Sequence, residues 1–199
     1  MSARADTSAR ADILNRVRAA TRDVPAGEDP SADIDRAYRR ERGLSAVQAV
    51  VLFADRVADY GATVRRVGGT QLPETLTSLC RTRGAARLVV PVDLPPQWRP
   101  EGVELVPDHV LSYAELGSAD GVLSGCAVAI AETGTVVLDS GPRQGRRALT
   151  LLPDYHLCVV EEEQVVGGVP EGPSATSDIE LERVEGVHGP RTLEVVVVG

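Results

Sequence analysis

The sequence is most constrained by the apolar run RLVVPV at residues 87–92. A continuous apolar segment of this length is typical of a strand buried on both faces of a parallel sheet. A short strand at 63–67 precedes it, and apolar residues at helical spacing fill the interval and stop at Gly84. A strand, a helix and a strand in this order form a βαβ unit, so we predict a sheet that is at least partly parallel.

The same patterns predict further elements on both sides of this unit. The 199 residues provide enough chain for one domain with a substantial core. We predict a helical N-terminal extension over 1–43 and a small α/β domain over 44–199. The extension carries helical patterns near residues 13–17 and 31–42. The domain carries helices at 45–60 and 112–116, and strands at 103–106, 127–131, 136–138, 156–160 and 193–198.

Composition removes several classes of function. The formal net charge is -8 and aromatic residues make up 3%, which disfavours a nucleic-acid binder because such proteins need basic faces and stacking platforms. All 21 basic residues are arginine, so this chain has no lysine for a Schiff base or a P-loop. We therefore expect no nucleic-acid partner.

Cysteine usage and hydropathy bear on cofactors and location. Cys80, Cys126 and Cys158 form no C-x-x-C pair, and the three histidines show no local spacing typical of metal ligands. No G-x-G-x-x-G fingerprint follows a strand, so we predict neither a metal nor a redox cofactor. The sequence has no apolar leader and no run long enough to span a bilayer, which predicts a cytoplasmic protein.

The segment AIAETGTVVL at 129–138 interrupts an apolar run with polar residues. Glu132 could act as a general base, and Thr133 and Thr135 could hydrogen-bond an anion. The alternative is a hairpin turn in which Gly134 takes a positive φ and the threonines satisfy its backbone. The spacing alone favours neither reading.

The segment DSGPRQGRR at 139–147 places three arginines within five residues of an acidic chain. Arg143, Arg146 and Arg147 could bind a phosphate or carboxylate, helped by backbone N–H groups at the two glycines. Alternatively, the segment is a solvated loop whose arginines pair with nearby acids.

Polar residues near three later strand or helix ends complete the candidate site. His156 opens an apolar strand, where an imidazole could transfer protons or serve as a structural hydrogen-bonding group. Ser177 with Glu180 matches a capping box, although the start of that helix could also favour an anion. The turn before the last strand carries a histidine and an arginine, and an ordinary Gly-Pro turn would equally explain it.

Four motifs in order resemble the lactate utilization protein C family of LUD-domain proteins: AETGT at 131–135, LPDYH at 152–156, GPSATSDIE at 172–180 and GVHGPR at 186–191. The resemblance covers roughly residues 45–199. It implies a fold like that of sugar-phosphate isomerases and CoA-transferases, with a Rossmann-like, mostly parallel sheet flanked by helices. It also implies a role with iron–sulfur partner proteins in the oxidation of L-lactate to pyruvate. Ala175 stands where relatives are expected to carry a basic residue.

The resemblance also selects candidate site residues. It implies catalytic roles for Glu132 and His156. It implies ligand-binding roles for Thr133, Gly134, Thr135, Ser174, Thr176, Asp178, Glu180, His188 and Arg191, to which the loop arginines Arg143 and Arg146 are added from their charge.

Two hypotheses of function follow from these observations. In the first, the chain is a subunit without a cluster in a lactate-oxidising assembly and binds a small anionic metabolite. In the second, it is a stand-alone isomerase or transferase for a phosphorylated or CoA-linked molecule, with Glu132 as base and the arginine loop as anion clamp. We also predict that the segments at 132–135, 156 and 174–180 converge in space.

Overall fold

The protein, described from a computed structural model, divides into two compact units, Met1–Tyr38 and Arg39–Gly199. The structure describes residues 3–22, 43–168 and 190–199. The first unit contains helix α1 (Ala3–Ala20), which includes the helical pattern near residues 13–17. The helix predicted at 31–42 lies outside the described residues, and the predicted boundary at 43/44 stays a prediction.

The second unit is an α/β domain. Its α-helices in the described residues are α2 (Ala46–Asp59), α3 (Leu72–Arg83), α4 (Tyr113–Gly117) and α5 (Ala148–Leu151). Its strands, within the part of the chain that the structure describes, are β1 (Thr63–Val67), β2 (Arg87–Val90), β3 (Glu104–Pro107), β4 (Gly121–Ser124), β5 (Val128–Ile130), β6 (Thr135–Val137), β7 (Tyr155–Glu161), β8 (Val165–Val166) and β9 (Thr192–Val198).

Six of these strands form one parallel sheet in the order β1-β9-β7-β4-β2-β3. The sheet and its flanking helices confirm the predicted α/β class and the mostly parallel sheet. The register places Leu123 beside Leu157, and Cys158 beside both Ser124 and Val195. The central strands β4 and β7 are buried along almost their whole length, as expected for a sheet covered on both faces.

The predicted hairpin strands β5 and β6 are present, but they do not join the six-stranded sheet. They pair antiparallel with each other, and β5 pairs parallel with β8 in a separate three-stranded sheet. The sequence did not predict β4, β8 or α5. These elements contain four, two and four residues, so each is too short to show a clear hydrophobic period.

Two layers bury the faces of the large sheet. On one face, α3 directs Leu72, Leu76 and Leu79 into a core that includes Leu88 and Leu157. On the other face, α2 and the small sheet share a core, and α4 and α5 cover a third cluster around Val89 and Val122. None of the helices in the described ranges combines the length and the apolarity that a bilayer crossing needs.

Candidate functional site

An open cleft lies beyond the carboxyl ends of β2 and β3. The chain runs outward from β2 to β3 and then returns to β4 on the other side of β2, so β2 and β4 flank a reversal in strand order. Open α/β sheets bind ligands beyond the carboxyl ends of their strands, and the cleft lies next to this reversal, between the segments that follow β2 and β3. The cleft has a volume of about 610 Å³ and is lined by Pro91, Val92, Asp93, Asp108, Val110, Ser140, Gly141, Pro142, Gly145 and Arg146.

Arg146 joins two of the loops that line this cleft. Its Nε donates to Asp108 Oδ2 at 2.6 Å, and its Nη2 donates to Asp108 Oδ1 at 3.0 Å and to the carbonyl oxygen of Leu111. The Asp108 side chain is only 4% exposed. Burial would raise the pKa of Asp108, but the hydrogen bonds from Arg146 and Leu111 outweigh it and hold the pKa below its usual value. Asp108 therefore stays ionised and fixes the guanidinium.

Four contacts hold Arg143 in place. Its backbone N–H donates to Asp93 Oδ2 at 2.7 Å, and its side-chain Nη1 donates to Glu161 Oε1 at 2.7 Å. Its guanidinium carbon lies 5.3 Å from the centre of the Trp98 ring, a distance typical of a cation–π contact. Its carbonyl oxygen accepts from Gly125 N–H at 2.7 Å. The side chain of Arg143 therefore ties the loop to β7 and to Trp98.

The backbone around the cleft is strained at three residues. Val110, Ser140 and Arg143 have φ values of 67°, 62° and 64°, in the left-handed region that non-glycine residues rarely adopt. Val110 and Ser140 line the cleft. Such strain persists only where surrounding contacts impose it, and it concentrates at functional sites. Strain and ion pairing thus mark the same loops.

The AETGT motif forms the turn of the β5–β6 hairpin. Gly134 has φ +64°, and a Cβ added there would lie 2.9 Å from backbone atoms of Arg56 and Val57 on α2. The Thr133 and Thr135 hydroxyls hydrogen-bond each other at 2.7 Å. Glu132 is exposed, and its N–H donates to the Gly167 carbonyl at 3.2 Å. The motif therefore has the geometry of a hairpin turn docked on a helix.

The turn and the arginine loop lie at opposite ends of this hairpin. The turn contacts α2, whereas the loop after β6 contacts Asp93 and Asp108 beyond β2 and β3. The stand-alone enzyme hypothesis needs Glu132 and the arginines at one ligand. In the structure, the turn and the loop contact different elements of the domain.

His156 lies in the core, with 3% of its surface exposed. Its Nε2 lies 2.8 Å from the hydroxyl of Ser124, which also donates to the Gly125 carbonyl at 3.0 Å. Burial lowers the pKa of His156 to about 4, so the ring is neutral near pH 7. This geometry matches the structural hydrogen-bonding group that the sequence left open as an alternative.

The remaining candidate residues are only partly described. Arg191 is exposed, and its Nε lies 3.8 Å from Asp154 Oδ1, also exposed. The other five lie outside the described residues: Ser174, Thr176, Asp178, Glu180 and His188. The segment at 174–180, which was expected to converge with the turn, therefore also lies outside them.

The cysteines do not form a metal site in the described ranges. Cys80 belongs to α3 and is buried in the core on that side of the sheet, and Cys126 and Cys158 are buried in the core that α2 shares with the small sheet. Across residues 3–22, 43–168 and 190–199, no three His, Cys, Asp or Glu side chains are grouped to hold a metal ion.

The sequence is similar to a named protein family and to several of its members. Residues 112–171 match the model of the LUD domain. Over 176 residues the chain is 47% identical to lactate utilization protein C of Deinococcus radiodurans, covering 78% of this chain and 82% of that protein. It is 36% identical over 94 residues to lactate utilization protein C of Geobacillus kaustophilus, covering 36% and 39% of the two chains.

The fold is also similar to a solved structure. The crystal structure of a DUF162 family protein from Deinococcus radiodurans aligns with a TM-score of 0.69 and 43% sequence identity. The alignment covers 78% of this chain and 99% of that one. The similarity therefore extends over nearly the whole of the solved chain.

Proposed function

Because the chain belongs to the lactate utilization protein C family of LUD-domain proteins, we propose that it is a subunit without a cluster in a cytoplasmic L-lactate oxidation system. In this role it works with iron–sulfur partner proteins that convert L-lactate to pyruvate, and it binds a small anionic ligand. The supporting observation is the 47% identity to lactate utilization protein C over most of both chains.

The cysteine inventory supports a division of labour between subunits. Protein-bound iron–sulfur clusters ordinarily take four thiolate ligands. This sequence supplies three cysteines, and all three are buried in apolar cores. In the proposed assembly the clusters, and the electrons removed from lactate, therefore belong to the partner proteins.

Reconstitution tests this role directly. The tagged chain is co-expressed with candidate iron–sulfur proteins encoded beside it, and the purified material is assayed for L-lactate-dependent dye reduction. We expect the iron–sulfur proteins to copurify with the chain and the full set to reduce the dye. Preparations that lack this chain should be slower.

Two outcomes would contradict the proposal. Dye reduction by the purified chain alone would show that it is itself the dehydrogenase. Failure to copurify, together with an unchanged rate when the chain is omitted, would show that it is not a subunit of the system.

A further inference from the structure

The cleft beyond β2 and β3 is preorganised before any ligand arrives. Asp108 and Leu111 follow β3 and are bound by Arg146 from the loop after β6, and Asp93 follows β2 and accepts from the Arg143 N–H. All three loops of the cleft are therefore cross-linked by charged hydrogen bonds. Because its loops are already fixed, this site loses little conformational entropy when a ligand binds.

Arg146 has donor capacity left over. A guanidinium offers five N–H donors, and the contacts to Asp108 and Leu111 use only Nε and Nη2. No acceptor among the described residues bonds to Nη1, whose two N–H groups remain for a ligand. The side chain is 33% exposed and lines the cleft, so this edge is accessible to an anion.

The charges that line the cleft limit how negative a ligand can be. Arg146 is its only basic lining residue among those described, and Asp93 and Asp108 are its acids. A phosphate dianion or a coenzyme A phosphate would be repelled by both carboxylates and attracted only by the guanidinium of Arg146, which Asp108 already binds. A ligand with one carboxylate carries less charge and would be repelled less. Among anions, the electrostatics therefore disfavour a dianion more strongly than a monoanion.

The rest of the lining is apolar with polar groups at its edge. Val92 and Val110 are 62% and 83% exposed, so a ligand that covers them removes apolar surface from water. Asp93 keeps Oδ1 available as an acceptor, and the Ser140 hydroxyl has no hydrogen bond to another described residue. These groups suit a hydroxyl on the ligand.

We propose that this cleft binds a small monocarboxylate that carries a hydroxyl group, with Arg146 meeting the carboxylate and Asp108 positioning Arg146. The inference deepens the proposed function, because L-lactate belongs to this class, and it names where the ligand binds. It assigns the ligand to the carboxyl ends of the strands and not to the hairpin turn.

Calorimetric titration of the purified chain with L-lactate, glycolate and inorganic phosphate tests the proposal. We expect saturable binding of the hydroxy acids and at least ten-fold weaker binding of phosphate. R146Q should raise the Kd for L-lactate at least ten-fold. The control R81Q alters an exposed arginine on α3, outside the cleft, that has no ion pair with any described residue, and it should change the Kd less than two-fold.

A second variant keeps the test valid if R146Q fails to fold, since that change leaves the buried Asp108 carboxylate without its partner. V92E alters an exposed side chain and adds a negative charge at the mouth of the cleft, so it should raise the Kd at least ten-fold. No saturable binding of either hydroxy acid would overturn the inference, as would tighter binding of phosphate or a Kd unaffected by both variants. Copurification with iron–sulfur proteins is independent of these results and separates failure here from failure of the proposed function.

Discussion

Replacing Gly134 by alanine tests how the small sheet is held against α2. An alanine at φ +64° is strained by about 1–2 kcal/mol. Its Cβ would also lie 2.9 Å from the backbone nitrogen of Val57 and from the carbonyl carbon of Arg56, too close for a real contact. Relieving such overpacking costs about 1–3 kcal/mol. We therefore expect G134A to lower the free energy of unfolding by about 2–5 kcal/mol.

Gly84 provides the matched control. It also has a positive φ, +71°, but a Cβ added there would meet nothing within 4 Å. G84A should therefore carry only the backbone strain, about 1–2 kcal/mol. Urea unfolding followed by circular dichroism gives both values by linear extrapolation. Equal losses in the two variants would refute the argument that the turn is packed tightly on α2.

Three further predictions concern buried polar groups. Burial lowers the pKa of His156 to about 4 in the folded protein, whereas the unfolded chain takes up this proton near pH 6.5. The free energy of unfolding should therefore fall by about 3 kcal/mol as the pH drops from about 6.5 to about 4. Urea midpoints across that range should show H156Q losing this part of the pH dependence, and an unchanged profile would contradict it. Y155F removes the hydroxyl that donates to Glu194 Oε2 at 2.7 Å and should cost about 1–3 kcal/mol in thermal unfolding, whereas wild-type stability would show that this hydrogen bond contributes nothing. Burial, aided by the Glu194 charge, raises the pKa of Cys80 to about 11, so a thiol reagent should label it far more slowly in the native protein than in urea, and rapid native labelling would count against its burial.

The sequence predicted those parts of the fold whose apolar pattern is long enough to be distinctive. β2, β7 and β9 are almost wholly apolar runs, and α3 shows a clear stripe that stops at Gly84. β4 sits at the centre of the sheet, yet its four residues look like any short loop segment. Its strand conformation depends on pairing with β2 and β7, which are distant in sequence.

The candidate site was less predictable because its contacts are long-range. The clustered arginines predict an anion site at 143–147. Asp108, the partner of Arg146, lies 38 residues before it, and no local pattern links the two. The turn at 131–135 could be read locally as a hairpin or as a ligand site, and the close approach of Gly134 to α2 adds a second reason for its glycine that no local pattern shows. Long-range ion pairs and helix docking were therefore beyond sequence reasoning.

The position of β9 has a consequence for how the domain forms during synthesis. In the described sheet, β1 pairs only with β9, and β9 also pairs with β7. β9 therefore connects β1 to the other strands of the sheet. The ribosome must therefore release the segment Thr192–Val198 before β1 finds its neighbour, more than a hundred residues after β1 itself emerges. Until then, α2 and β1 expose apolar surface that nascent-chain chaperones could recognise. A synthetic peptide with the sequence of β9, added to a chain that lacks this strand, would pair with β1 and complete the sheet.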